Sequence, residues 1–209
     1  MDLWPWIHEE RASLLATFET LAPEQWDVPS LCGSWTVKQV FGHLVVAAKP
    51  PMRQFTVELA KGLGSFDKAN DKVGRETAER PVAELIERYR SVMGGRWAPP
   101  GAGPRAPLSD ILLHSLDVRL PLDLSAERPS ERYLPCLELL FDRTRGRIFV
   151  RKGRPAVCWT ATDQPWSYGT GAIVRGTAAD LALAASGRGI HADRLEGPGA
   201  SELAAWLTA

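Results

Sequence analysis

Asp110 and His114 are the residues of this sequence whose types and spacing most clearly allow chemistry. They stand four positions apart in the segment SDILLHSLDVR, so on a helix they lie one turn apart on the same face. A carboxylate and a histidine at this spacing can share one metal ion, as two histidines do in H-E-x-x-H helices. The spacing also suits a plain hydrogen-bonded pair or a solvated helix face, and the residues alone leave these interpretations open.

His43 is the third ligand that the sequence favours, because a catalytic zinc-type site takes three protein ligands and leaves one position open. It follows an apolar stripe with helical spacing in the segment GSWTVKQVFGHL. Of the other two histidines, His8 falls in a charged first turn and His191 in an expected loop near the C-terminus. A histidine beside an apolar face is also typical of a core residue with one hydrogen-bond partner.

Three more residues near these segments have side chains that can take part in binding or catalysis. Asp117 can orient His114 from the same helix, and the planar fork of Arg119 can bind a substrate carboxylate. Two residues apart on a helix, Asp117 and Arg119 do not face each other, and a structural role is the favoured interpretation for both. Cys32 precedes a predicted helix, where a thiolate is stabilised, but a small buried hydrophobe is the favoured interpretation.

Helices must position these side chains, and the apolar periodicity predicts them. They are expected over 7–21, 36–49, 81–93, 108–122 and 130–146. Thr36 and Gln39 have the spacing of a capping box at the start of the second helix, and Pro50-Pro51 breaks that helix. Residues 52–64 can continue as helix, whereas the polar segment 65–81 is predicted to be a loop.

The pattern changes after about residue 144. The segment RIFVRKGRPAVCWTATDQPWSYG alternates apolar and polar residues, which predicts two short strands joined by a turn at Lys152-Gly153. A helix with Thr177 as its N-cap and Gly187 as its stop follows, and a last short helix ends the sequence. We therefore expect a helical bundle over residues 1–143 and a small α+β domain over residues 144–209.

Composition excludes several classes of partner. Lysine plus arginine and aspartate plus glutamate both number 25, so no basic excess favours nucleic acid or an anionic membrane surface. No apolar run reaches the roughly 18 residues of a membrane helix. The three cysteines include no C-x-x-C, and the N-terminal segment does not resemble a signal peptide, so a reducing cytoplasm is the expected location. The oligomeric state cannot be predicted.

Two segments together resemble a known family. PEQWDVPSLCGSWTVKQVFGHL, followed about 70 residues later by LSDILLHSLDVRLPL, is similar to the mycothiol-dependent maleylpyruvate isomerase family of the DinB-like metal-binding superfamily. The resemblance implies a DinB-like four-helix bundle followed by a small α+β C-terminal domain. It also implies a divalent metal, usually zinc, held by His43, Asp110 and His114. The family's pattern has glutamate at the position of Asp110, and the shorter side chain puts the particular substrate in question.

The resemblance also implies a function. Mycothiol would be the thiol cosubstrate, and its metal-activated thiolate would add to a small electrophile. The result is either cis–trans isomerisation of the maleylpyruvate type or transfer of the thiol onto the electrophile. The alternative is a non-catalytic metal-binding protein involved in stress or in interactions with a partner.

Overall fold

The computed structural model describes residues 1–146 and 149–209. They form two compact units, residues 1–126 and 127–209, which are described separately. The sequence placed the boundary after residue 143, whereas the units divide between Ala126 and Glu127. The reason is that the helix Tyr133–Leu140 packs against the helix Ala178–Ala185 of the second unit. Among the described residues, no helix combines the length and the apolar character needed to cross a bilayer.

Helices make up most of residues 1–126. They are α1 (Trp4–Phe18), α2 (Val37–Ala48), α3 (Met52–Lys61), α4 (Phe66–Ala78), α5 (Val82–Val92) and α6 (Arg105–Arg119). Helix α2 packs against α4, α5 and α6, and α1 packs against α5 and α6. The helical character is confirmed, while a four-helix bundle stays a prediction because α3 and α4 are two further helices.

Helix α2 begins as the sequence predicts. The Thr36 hydroxyl accepts a hydrogen bond from the backbone N–H of Gln39 at 3.3 Å, and the Gln39 side chain accepts one from the Thr36 N–H at 2.9 Å. Reciprocal bonds of this kind satisfy two amide groups that would otherwise lack partners at the start of a helix. The prolines at positions 50 and 51 separate α2 from α3.

Helix α4 corrects the sequence analysis, which predicted a loop over residues 65–81. Ser65 caps this helix, since its hydroxyl accepts a hydrogen bond from the Lys68 N–H at 3.4 Å. The buried face consists of small residues: Ala69, Val73, Gly74 and Ala78. A helix with so small an apolar face gives a weak periodic signal, and tertiary packing against α2 overrides it.

The second unit contains α7 (Tyr133–Leu140), β1 (Cys158–Ala161), β2 (Ser167–Tyr168), β3 (Ile173–Gly176), α8 (Ala178–Ala185) and α9 (Ala200–Thr208). Strand β1 is central, antiparallel to β2 and parallel to β3. Thr177 is the N-cap of α8, accepting a hydrogen bond from the Asp180 N–H at 3.1 Å, as predicted.

The predicted hairpin at Lys152-Gly153 is wrong in its first strand. The turn is present, but residues 149–151 form no strand, and positions 147 and 148 lie outside the described residues. The hairpin instead joins β1 to β2, turning between Ala161 and Trp166, whose backbones are hydrogen-bonded at 2.9 Å.

Candidate metal centre

Three side chains from α2 and α6 meet in the first unit. The Nε2 atom of His43 lies 3.1 Å from Oδ1 of Asp110, and the Nε2 atom of His114 lies 3.6 Å from the same oxygen. One donor atom from each residue lies within 4.8 Å of the others. The structure thus brings together the three residues that the sequence suggested as metal ligands.

Asp117 fixes the orientation of His114. Its Oδ2 atom lies 2.8 Å from Nδ1 of His114, and the Asp117 side chain is fully buried. A carboxylate can only accept, so Nδ1 of the neutral ring carries the proton and Nε2 carries the lone pair. That lone pair is directed toward Asp110. A carboxylate that holds a ligating histidine in this way is common around protein metal sites.

Trp35 forms one wall of the group. The centre of its ring system lies 5.2 Å from the ring of His43 and 6.0 Å from the ring of His114. Its indole N–H donates to Oδ1 of Asp71 at 2.6 Å, and the same oxygen accepts a hydrogen bond from Arg75 at 2.7 Å. The sequence analysis did not identify this support, because it predicted a loop over residues 65–81. Asp71 and Arg75 lie one turn apart on the same face only when this segment is a helix.

The electrostatics of Asp110 favour a carboxylate. Burial alone would raise its pKa, but the charge that His43 carries when protonated and its hydrogen bond, then the charge of protonated His114 and that of Arg11, lower the pKa to about 2. Arg11 is itself held in place by hydrogen bonds to the carbonyls of Met93 and Gly95 at 3.0 and 2.9 Å. Asp110 therefore offers an ionised oxygen at neutral pH. No signal in the sequence identified Arg11.

Comparison with known proteins relates part of this chain to a protein family and its fold to a solved structure. A family model described as the mycothiol maleylpyruvate isomerase N-terminal domain matches residues 7–93. Over those residues, which are fewer than half of the chain, the sequence is similar to this family. The matched stretch contains His43 and ends before α6. The resemblance noted in the sequence is thereby confirmed.

A solved structure shares the fold. It is the crystal structure of a histidine-to-alanine mutant of the mycothiol-dependent maleylpyruvate isomerase, with a TM-score of 0.52 and 14% sequence identity. The match covers 96% of this chain and 94% of the other. No curated protein sequence matches this chain.

The donors suit the divalent metal that the family resemblance implies. In the neutral ring, Nε2 of His114 carries a lone pair and lies 3.6 Å from an ionised oxygen of Asp110. Two such acceptors repel each other unless a cation lies between them. Two imidazole nitrogens and one carboxylate oxygen are ligands that zinc accepts, with a fourth position left open. The three residues therefore fit the metal, whose identity stays a prediction.

Arg119 has a different setting from these donors. Its guanidinium group donates to the backbone carbonyls of Ser125 and Ser13, both at 2.9 Å, and to the Ser13 hydroxyl at 3.1 Å. These bonds join α1 to the chain that follows α6, which supports the structural role. Binding of a substrate carboxylate by Arg119 stays a prediction.

Proposed function

We propose that this chain is a metal-dependent enzyme that uses mycothiol to attack a small electrophilic substrate. The convergence of His43, Asp110 and His114 is the observation that carries the proposal. The similarity of residues 7–93 to the mycothiol maleylpyruvate isomerase family model supports mycothiol as the thiol and this class of reaction. Zinc is the metal that we favour for this donor set.

The three donors would hold the metal, with its open position available to the thiol. A bound dication would supply Lewis acidity and keep the thiol deprotonated. The residues of the chain have their own tasks. Asp117 holds the ring proton of His114 on Nδ1, Asp110 stays ionised beside it, and Trp35 covers one side of both histidines.

The proposed reaction begins when the thiolate sulfur forms a bond to one alkene carbon of a cis substrate of the maleylpyruvate type. The alkene electron pair moves toward the neighbouring carbonyl, and the former double bond becomes a single bond that rotates. Breaking of the C–S bond then returns the thiolate and releases the trans isomer. In an S-transferase the C–S bond persists instead, and the product takes up one proton.

Metal analysis tests the donor set. We expect about one metal ion per chain in the wild type and its loss in His43→Ala and His114→Ala, because two ligands seldom retain zinc. His191→Ala is the matched control, since Nδ1 of His191 lies 2.9 Å from Asp180 in the second unit. Full metal content in both His43→Ala and His114→Ala would refute the proposed centre.

Turnover tests the reaction. Metal-loaded protein is incubated with maleylpyruvate or other small electrophiles, with and without mycothiol. An isomerase would convert the substrate only when thiol is present and would leave the thiol concentration unchanged, whereas an S-transferase would consume it. If metal is bound but no electrophile reacts, the non-catalytic metal-binding alternative replaces the proposal.

A further inference from the structure

A second group of possible metal donors lies beside the first, and the two groups share His114. Cys32, His114 and Asp117 each offer a donor atom, and the three atoms lie within 4.8 Å of one another. Nδ1 of His114 is the nitrogen that faces Asp117, at 2.8 Å. Cys32 is half-buried and forms no disulfide. The proposed reaction makes no use of this thiol.

The main chain holds Cys32 in this position. Its N–H donates to the Ser30 hydroxyl at 3.1 Å, and its carbonyl accepts a hydrogen bond from the Trp35 N–H at 3.1 Å. The N–H of the preceding residue, Leu31, donates to the backbone carbonyl of Asp117 at 3.2 Å. The loop is thereby attached to α6 next to Asp117, so the main chain that carries the thiol is held near the histidine.

We propose that Cys32, Nδ1 of His114 and Asp117 form a second cation site, selective for thiophilic ions such as Cd²⁺. Thiolate, imidazole and carboxylate together make a donor set for zinc-like ions, and the soft sulfur favours softer ones. On binding, Cys32 releases its thiol proton to solvent, as metal-ligating cysteines do. The proposal concerns a different ligand from the proposed enzymatic function and does not depend on it.

The two sites compete for His114. A neutral imidazole carries one ring proton, and ligation through Nδ1 moves that proton to Nε2. Nε2 then has no lone pair to offer toward His43 and Asp110. A thiophilic ion at the second site therefore removes one of the three donors of the first site.

Cadmium absorption tests the site directly, because a thiolate bound to Cd²⁺ gives a charge-transfer band in the ultraviolet. Metal-free wild-type protein is titrated with Cd²⁺, and we expect a band that corresponds to one thiolate per chain. Cys32→Ser should lose the band. Cys158→Ser is the matched control, since Cys158 is also half-buried and forms no disulfide but lies in the second unit, and it should keep the band.

A further variant separates this proposal from that of the first site. His43→Ala removes a donor of the first group only, so it should lose zinc and retain the cadmium–thiolate band. Circular dichroism verifies that each variant keeps its helices. A wild-type protein without the band, or Cys32→Ser with the full band, would overturn the second site, whatever the zinc content shows about the first.

Discussion

The two histidines of the donor group, His43 and His114, differ in the hydrogen bonding of their Nδ1 atoms. Nδ1 of His114 is bonded to Asp117, whereas Nδ1 of His43 is buried and has no hydrogen-bond partner among the described residues. The orientation of His43 depends instead on packing against Trp35 and on its contact with Asp110. At the residue scale, Asp117 is therefore the side chain whose removal should loosen the centre most without removing a ligand.

Asp117→Asn is expected to weaken metal binding about 10- to 100-fold, the range found when a partner of a ligating histidine is lost. The amide keeps the shape of the side chain but can present its NH₂ group to Nδ1 and favour the wrong tautomer. Competition with a chelator measures the affinity. Asp180→Asn, at the equivalent pair with His191 in the second unit, should leave it unchanged. Equal affinities of wild type and Asp117→Asn would show that Asp117 does not orient the ligand.

Arg119→Ala tests whether this arginine stabilises the first unit or binds substrate. We expect the free energy of unfolding to fall by about 1–3 kcal/mol, because the Ser13 and Ser125 carbonyl groups lose their hydrogen bonds from a charged donor, with little change in metal content. Urea denaturation provides the measurement. A raised KM for a carboxylate substrate in a variant of unchanged stability would instead favour the substrate-binding role.

The sequence could identify Asp110 and His114 because their spacing is local, one helical turn apart. His43 was favoured as the third ligand by its place beside the apolar stripe of an earlier helix, and the resemblance implies the same residue. The support from Trp35 and Asp71 could not be predicted, since these residues are 36 positions apart and meet only when α4 packs beside the group. Local periodicity contains no information about such long-range pairs.

At the scale of elements, α2 and α4 approach each other closely at two glycines. A Cβ atom added at Gly42 would lie 2.6 Å from the carbonyl oxygen of Gly74, and one added at Gly74 would lie 3.3 Å from Cβ of His43. The close approach brings α4 against the helix that carries a proposed ligand. Small residues on α4 make this packing possible, and the same small residues led the sequence analysis to predict a loop.

Gly42→Ala should destabilise the protein by about 1–3 kcal/mol, the usual cost of overpacking. The reason is that the new methyl group meets the backbone of α4, which cannot rotate away as a side chain can. Gly94→Ala is the control, because a Cβ there meets no atom within 4 Å, and its effect should stay within about 0.5 kcal/mol. Urea denaturation of both variants measures the difference, and two equal curves would mean that α4 shifts freely.

At the scale of the whole molecule, the two units differ in how far the sequence predicted them. Apart from α4, the helices of the first unit follow from apolar stripes and a capping box. In the second unit β1 pairs with β2 on one side and β3 on the other, and β2 is only two residues long. Alternation of apolar and polar residues alone cannot specify so short a partner strand or a parallel one. The sequence analysis therefore placed the hairpin turn at Lys152-Gly153 and not between β1 and β2.

All the donors of both proposed sites lie in residues 1–126, so the stabilising effect of a metal should be confined to that unit. A ligand that binds only the native state at 100 times its Kd adds about 2.7 kcal/mol to stability. We expect zinc to slow hydrogen exchange of amides in α2 and α6 while those in β1 and α8 stay unchanged. His43→Ala, treated in the same way, should show no slowing in either unit. Slowing of equal size in β1 and α8 of the wild type would show that the units unfold together and that the metal stabilises the entire chain.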